Sequence, residues 1–132
     1  MRCPCTSGDT YESCCGPILS GDRAAPTAVR LMRSRFTAFA TGDADYLLRS
    51  WHPSVRPAEM RLDEGVRWMR LDILDTVDGG PFDTAGVVEF EAFFRDDDGR
   101  GSMRERSRFV RERRTWMYLD GSADDRRVGV PG

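Results

Sequence analysis

Lysine, asparagine and glutamine are absent from this 132-residue chain, and histidine occurs once, as His52. All 20 basic residues are therefore arginine, which a GC-rich coding bias explains more simply than any function does. The presence of arginine at a given position is accordingly weak evidence for recognition of a carboxylate or phosphate, because arginine is the basic residue at every position of this chain that has one. Any mechanism that requires an imidazole has to use His52.

Several further absences limit the class of protein. No apolar run approaches membrane-spanning length, and no charged and apolar leader precedes Cys3, so we expect a cytoplasmic protein without membrane contact. The formal net charge is only −2, which disfavours a nucleic-acid-coating protein without excluding RNA. Neither a nucleophile elbow nor a phosphate-binding glycine loop stands out. With 39% hydrophobic residues, the chain is long enough for one main core, to which the cysteine-rich start is attached.

The strongest chemical signal is a cluster of cysteines at the start of the chain. Cys3, Cys5, Cys14 and Cys15 are the only cysteines and follow the order C-x-C, an eight-residue spacer, then C-C. If the spacer folds back, four soft thiolates surround one ion, and a closed tetrahedral set of this kind favours Zn²⁺. Proton release on binding predicts that such a site fails in acid. We call residues 3–16 the cysteine clip.

Two other interpretations of the clip stay open. An iron–sulfur cluster is disfavoured because adjacent ligands such as Cys14 and Cys15 differ from the usual cluster spacings. A pair of disulfides is compatible with an even cysteine count, but nothing in the sequence indicates export to an oxidising compartment.

Helical patterns follow the clip. Residues 18–25 have the features of a connector, and apolar residues then recur at spacings of three and four up to Gly42, which predicts a helix of about four turns with Pro26 in its first turn. The charged head of Arg35 is expected to flank the apolar stripe. A shorter helix is predicted after Asp43, ending by His52 because Pro53 follows.

The second half of the chain has the period of strands. About four strands are predicted from residue 66 to residue 120, and the first should place Met69, Leu71, Ile73 and Val77 on one face and Trp68 on the other. Residues 122–132 lack large apolar side chains, which predicts a disordered tail. The predicted fold class is α+β, with a curved antiparallel sheet packed on the long helix.

Several separate blocks of the sequence resemble the YchJ-like family of bacterial proteins. They are the clip, LMRSRFTAF at 31–39, DYL at 45–47 with WHP at 51–53, ERSRFV at 105–110 and WMYLDG at 116–121. The resemblance implies a cone-like α+β domain of the nuclear transport factor 2-like (NTF2-like) type at residues 24–121.

The clip itself, within residues 1–20, resembles the SEC-C zinc-binding motif. In this resemblance Cys3, Cys5, Cys14 and Cys15 match the ligand positions, although Asp9 stands where lysine is common. The motif elsewhere docks to protein partners, which implies a ribosome or translocation component here. The leading hypothesis is therefore an interaction module with a structural zinc site.

A competing hypothesis places a small ligand, or an enzymatic reaction, inside the domain. Relatives of this shape often have a pocket between sheet and helices, and the candidates for its lining are Tyr46, Trp51, His52, Glu89, Arg106 and Tyr118, with Glu91, Glu105 and Asp120 as further possible acids. A cavity lined by tyrosine, tryptophan and acids would favour ligand binding, whereas a filled interior would exclude it. For Glu89 the alternative is a cross-strand ion pair with arginine, and for His52 it is a structural role with a hydrogen bond to a backbone carbonyl.

The densest positive stretch lies near the third predicted strand. Arg104, Arg106 and Arg108 should project from one face, where they could contact the phosphates of RNA or the ribosome. An ion-paired, solvated face is the alternative that we favour.

Overall fold

The computed structural model describes residues 1–127, in which helices precede an antiparallel sheet. The elements are α1 (Gly16–Ser20), α2 (Ala28–Thr41), α3 (Ala44–Arg49), β1 (Arg67–Asp78), β2 (Ala85–Asp96), β3 (Gly99–Glu112) and β4 (Thr115–Arg127), with a short 3₁₀ helix at Tyr11–Ser13. The strands pair in the order β1-β2-β3-β4. The predicted α+β fold class is confirmed. None of the helices in residues 1–127 has both the length and the apolar character needed to cross a membrane.

Helix α2 forms where the apolar stripe predicted it. Its N-cap is Thr27, whose Oγ1 accepts a hydrogen bond from Arg30 N at 3.2 Å, so Pro26 precedes the helix and does not lie in its first turn. Gly42 ends the helix in the left-handed conformation (φ 80°), which glycine adopts without steric cost. The stripe packs on the sheet and so fixes the position of the helix.

The connector predicted at residues 18–25 is partly wrong. Its first residues belong to α1, where Ile18 and Leu19 are buried. Pro17 lies within the first turn of α1, where its missing N–H does not matter, and Gly21 ends the helix. The start of the chain therefore packs against the rest of the protein and is not a free linker.

The face assignment predicted for β1 is also wrong. Its pairing with β2 shifts between Trp68 and Arg70 and again between Ile73 and Asp75. Each β-bulge adds one residue, which reverses the side of the sheet that the next residues face. Consequently Trp68 packs inward against Phe94, whereas Met69 is 50% exposed and Val77 is exposed as well.

Strand β4 continues further than predicted. Residues 122–127, assigned to a disordered tail, extend the strand to Arg127 by pairing with the first half of β3. Backbone hydrogen bonds form this ladder, and they do not require the apolar side chains whose absence suggested disorder. The remaining residues of the predicted tail, 128–132, lie outside the described residues.

The cysteine clip belongs to the core. All four cysteines are buried, and they join one continuous cluster with residues of α1, α2, α3 and the sheet. The expectation of a clip attached to a separate core is therefore wrong. Loss of the clip would expose the buried residues that it covers.

Two glycines allow the β1–β2 hairpin to approach α2. A Cβ at Gly86 would lie 2.5 Å from Gly79 Cα and 3.4 Å from Ala28 Cβ, and Ala28 N donates to Gly79 O at 3.0 Å. Gly86→Ala should therefore lower the free energy of unfolding by about 1–3 kcal/mol, measured by urea denaturation. The control is Gly65→Ala, where a Cβ meets only the flexible Asp63 side chain, and it should change stability by less than about 0.5 kcal/mol. Equal effects of the two variants would contradict this explanation.

Candidate functional site

The four thiols of the clip converge on one point. Their Sγ atoms all lie within 4.8 Å of one another, with Cys5 and Cys14 at 3.6 Å and Cys14 and Cys15 at 3.9 Å. All four cysteines are free thiols, so the structure contains no disulfide at this site. The donor set is closed and composed only of sulfur.

This geometry fits a tetrahedral ion. Metal–sulfur bonds of about 2.3 Å place the corners of a tetrahedron roughly 3.8 Å apart, close to the separations found here. Four thiolates carry more negative charge than one divalent ion neutralises, and hydrogen-bond donors around the sulfurs reduce that excess. Two such groups are present, because Ser7 Oγ lies 3.2 Å from Cys14 Sγ and Thr37 Oγ1 lies 3.7 Å from Cys3 Sγ.

The thiols influence one another strongly. Hydrogen bonds from Cys15 and Ser7 lower the pKa of Cys5 to about 4, although burial opposes the shift. The same contact with Cys5, followed by burial, raises the pKa of Cys15, and burial raises the pKa of Cys14. One thiolate is thus favoured at neutral pH, and a cation at the centre would supply the charge that the remaining thiols need to ionise.

The clip is fastened to α2 and β1 by polar contacts. Arg33 Nη1 donates to Cys5 O at 3.0 Å. Thr6 Oγ1 accepts a hydrogen bond from Leu71 N at 3.1 Å, and its single proton is shared between Cys5 O at 2.7 Å and Leu71 O at 3.2 Å, so the hydroxyl links the clip to β1. Arg2 Nη1 donates to Gly8 O at 2.7 Å, in the loop between the two cysteine pairs.

A cavity of about 230 Å³ lies on an adjacent side of α2, between the helix and the concave face of the sheet. Its walls are mainly apolar and aromatic. The lining residues are Met32, Arg35, Phe36, Phe39, Trp51, Met60, Trp68, Phe90, Ala92, Met103, Glu105 and Tyr118. The interior of the domain is therefore an open pocket, and among its lining residues only Arg35 and Glu105 carry a formal charge.

Arg35 is the most buried charged group of the cavity. Its Nη1 donates to Leu47 O at 2.8 Å and to Ser50 Oγ at 2.7 Å. Its guanidinium carbon lies 4.6 Å from the ring centre of Tyr118 and 5.4 Å from that of Trp51, so the cation stacks against two aromatic rings. Burial lowers the pKa of Arg35 to about 10, which still leaves it charged at neutral pH.

Glu105 faces Arg35 across the cavity from β3. Its Oε2 accepts a hydrogen bond from Tyr118 OH at 3.1 Å and another from Ser107 Oγ. Burial raises the pKa of Tyr118, and the nearby Glu105 charge adds to the effect, so Tyr118 stays a protonated donor. Gly121 leaves room for this carboxylate, because a Cβ there would lie 2.6 Å from Oε2.

Trp51 supplies a further polar group. Its Nε1 is buried and has no hydrogen-bond partner among the residues that the structure describes. The backbone beside it pairs with β4, since His52 N donates to Tyr118 O at 2.8 Å and Tyr118 N donates to Ser50 O at 2.9 Å. A buried donor without an acceptor is costly, which makes Trp51 Nε1 a candidate contact for a ligand.

Comparison with known proteins identifies the family. Residues 27–121 match the model of the YchJ middle NTF2-like domain. The chain belongs to the YchJ-like family. Among its relatives are UPF0225 proteins of Streptomyces coelicolor, 55% identical over 90% of this chain and 93% of the relative, and of Corynebacterium glutamicum, 50% identical over 93% and 98%.

Two solved structures share the fold of this YchJ-like chain. A SEC-C motif containing protein from Rhodopseudomonas palustris superposes with a TM-score of 0.80 at 35% identity, covering 92% of this chain and 98% of that protein. A second SEC-C motif containing protein, from Psychrobacter arcticus, gives a TM-score of 0.73 at 26% identity, covering 89% and 80%. The family resemblance is confirmed, and these matches support the assignment of the clip as a SEC-C motif.

Of the six residues predicted to line the pocket, Trp51 and Tyr118 do so. Tyr46 is buried nearby but lies outside the lining, where its OH is 2.6 Å from Ser34 Oγ. His52 also lies outside it. Its Nδ1 accepts from Ser54 N at 3.1 Å and its Nε2 donates to Glu112 Oε2 at 2.9 Å, so Ser54 and Glu112 hold the ring in place of the backbone carbonyl that the structural alternative predicted.

The prediction that Glu89 and Arg106 line the pocket is wrong. They lie on the convex face of the sheet, where Arg106 Nη1 is 3.0 Å from Glu89 Oε1. Arg104 is 3.3 Å from the other oxygen of Glu89, and Arg108 pairs with Asp120 at 2.5 Å. The arginine stripe of the YchJ-like chain is an ion-paired face, because strand alternation points these residues away from the helix.

Of the two charged residues of the cavity, sequence reasoning named Glu105 only as one of several possible acids and missed Arg35. Glu105 alternates with the exposed arginines of β3 and precedes the buried Phe109 by four residues, so strand period alone places it on the inner face. Arg35 lies on the same stripe of α2 as Met32 and Phe39, and its head was expected at the edge of that stripe. The cavity instead admits its guanidinium, which only the tertiary structure reveals.

Proposed function

We propose that this YchJ-like protein binds a small ligand in its interior cavity and that the SEC-C cysteines hold a structural Zn²⁺ ion. The main support is the cavity itself, whose apolar walls surround a few polar groups, an arrangement typical of small-molecule sites. The convergence of Trp51, Tyr118 and Glu105 satisfies the criterion that favoured ligand binding over a filled interior.

The role proposed for the metal follows from the closed donor set. Four cysteine thiolates complete a tetrahedral shell, so no position is left for water or a substrate. Zinc suits such a shell because it is borderline soft and has no geometric preference of its own. In this proposal the ion stabilises the fold, and the ligand is bound elsewhere.

Docking to a ribosome or translocation component stays a prediction from the resemblance. Removing residues 1–16 is a poor test of it, because the deletion takes four buried core cysteines with it. Substitutions of the exposed residues Asp9 and Glu12 leave the cysteines in place and are better suited to a pull-down experiment.

The cavity can be tested by NMR titration of the metal-loaded protein with phenylacetate and 2-phenylethanol. These probes share one aromatic body and differ in charge. At least one of them should shift the indole N–H signals of Trp51 and Trp68 in a saturable way, while the signal of Trp116, which is buried away from the cavity, stays in place. If neither probe shifts the two cavity tryptophans, the proposed function is wrong.

A variant of the cavity wall sharpens this test. Met60→Trp adds bulk at a partly buried lining residue and should weaken probe binding by at least about tenfold. Met69→Trp makes the same change at an exposed position outside the cavity and should bind the probes as the unaltered protein does. Equal binding by the two variants would contradict this location of the site.

A further inference from the structure

We propose that the ligand of the cavity is a small apolar carboxylate whose carboxylate group binds Arg35. This inference rests on the proposed function and adds the chemical class of the ligand. The supporting observation is that the buried guanidinium of Arg35 uses only part of its hydrogen-bonding capacity. Trp51 Nε1, in the same cavity lining, is a second donor without an acceptor among the described residues.

The charge of Arg35 has no partner at ion-pair distance. Arg35 is 4% exposed, and no carboxylate within the residues whose side chains are described makes a salt bridge with it. The rings of Tyr118 and Trp51 offset part of the cost of burying the cation, but neither brings an opposite charge. An anion in the cavity would therefore be stabilised strongly, because the surroundings screen it less than water does.

The unused donors indicate where the anion binds. Both hydrogen bonds of Arg35 come from Nη1, which leaves Nε and Nη2 without an acceptor in the described part of the chain. A guanidinium offers these two nitrogens as a planar fork that matches the two oxygens of a carboxylate. Trp51 Nε1 is a further buried donor in the same lining, so the cavity has more free donors than acceptors.

Glu105 does not make the site selective for cations. Its Oε2 already accepts from Tyr118 OH and Ser107 Oγ, which leaves Oε1 as its one free oxygen in the described part of the chain, whereas Arg35 keeps two free nitrogens beside the Trp51 donor. Its negative charge nevertheless opposes a bound anion. Neutralising Glu105 should therefore strengthen the binding of an anion and leave a neutral ligand unaffected.

The walls of the cavity indicate the chemical nature of the ligand outside its carboxylate group. Apart from the polar groups already named, the lining consists of methionine, phenylalanine, tryptophan and alanine side chains, which favour an aromatic or short aliphatic body. A cavity of about 230 Å³ is smaller than the roughly 300–1,000 Å³ of sites for drug-sized molecules. A ligand of about the size of phenylacetate suits it.

The test compares three probes with the same ring and different charge, namely phenylacetate, 2-phenylethanol and 2-phenylethylamine. Their dissociation constants are obtained from the Trp51 and Trp68 indole signals of the zinc-loaded protein. We expect phenylacetate to bind at least tenfold more tightly than 2-phenylethanol, and the amine to bind most weakly.

The outcomes separate this inference from the proposed function. Equal affinity for phenylacetate and the alcohol leaves the cavity a binding site but overturns the role of Arg35. Preference for the amine also overturns it and identifies Glu105 as the anchor. Binding of none of the probes contradicts both proposals.

Two variants test the roles of Arg35 and Glu105 in binding the carboxylate. Arg35→Met should abolish the preference for phenylacetate and retain binding of the alcohol, provided that its circular dichroism and unfolding midpoint show a folded protein. Glu105→Gln keeps an acceptor for Tyr118 and does not touch the contacts of Arg35 with Leu47 and Ser50, so it tests the electrostatics if Arg35→Met fails to fold. It should tighten phenylacetate binding about threefold or more and leave the alcohol unchanged. An unchanged or weakened affinity for phenylacetate in Glu105→Gln would overturn the inference.

Discussion

Cys14→Ser is expected to abolish binding of about one Zn²⁺ per chain and to lower the free energy of unfolding by about 4 kcal/mol or more. The serine hydroxyl is a poor replacement for a thiolate as a zinc ligand, and Cys14 is buried beside Cys5 and Cys15, so the free energy of metal binding that stabilises the fold would be lost. Elemental analysis of the purified protein measures the metal, and urea denaturation measures the stability.

The matched control for this variant is Ser13→Ala. Ser13 is the neighbour of Cys14, but it is exposed and its hydroxyl contacts Thr10 and no sulfur. The control should keep the metal and most of the stability. Unaltered zinc content in Cys14→Ser would contradict the four-cysteine site, and iron in the unaltered protein would contradict zinc as its occupant.

Trp116→Ala is expected to lower the free energy of unfolding by about 3–5 kcal/mol. The side chain is 2% exposed and is the largest of the fully buried ones, so its removal leaves a cavity at the start of β4. It also releases the hydrogen bond from Trp116 Nε1 to Pro26 O at 3.3 Å, which ties β4 to the segment that leads into α2. Urea denaturation followed by circular dichroism measures the effect.

Phe82→Ala is the control for loss of a large aromatic side chain. Phe82 is 93% exposed in the loop between β1 and β2, and its removal should change the stability by less than about 0.5 kcal/mol. Similar effects of the two variants on the free energy of unfolding would contradict the large contribution to stability that the burial of Trp116 indicates.

Helix α2 connects the two sites of the protein. Arg33 and Thr37 contact the clip, whereas Met32 and Phe36 of the same helix line the cavity. A residue and its neighbours three or four positions on share one helical face, so one helix serves both sites from adjacent sides. Under the proposed function, metal binding stabilises the helix that forms a wall of the ligand site, and loss of zinc should weaken ligand binding through loss of the fold.

Much of the architecture was predictable because local patterns and global structure agree. The stripe of α2 and its stop at Gly42 follow from helical period and a left-handed cap. The alternation in β2 places Val88, Phe90 and Ala92 inward, as their period of two predicts. In these segments each residue's own preference indicates the side on which it is buried.

Prediction failed where the structure of a strand depends on a β-bulge or on its pairing with a strand that is distant in the sequence. The bulges of β1 reverse its faces, and nothing in the alternation of Trp68 and Met69 reveals them, because a bulge is a property of pairing with β2. The extension of β4 to Arg127 depends on the backbone of β3 in the same way. Composition alone could not predict either feature.

The cysteine cluster could be predicted from the sequence, whereas the cavity could not. The spacing of Cys3, Cys5, Cys14 and Cys15 was enough to predict a metal site, since residues so close in the chain need only one local turn to meet. The cavity brings together Arg35 from α2, Trp51 from the segment after α3, and Glu105 and Tyr118 from β3 and β4. Those side chains are separated by up to 83 positions, so only the packing of the helix against the curved sheet decides that they face one another and that the space between them stays open.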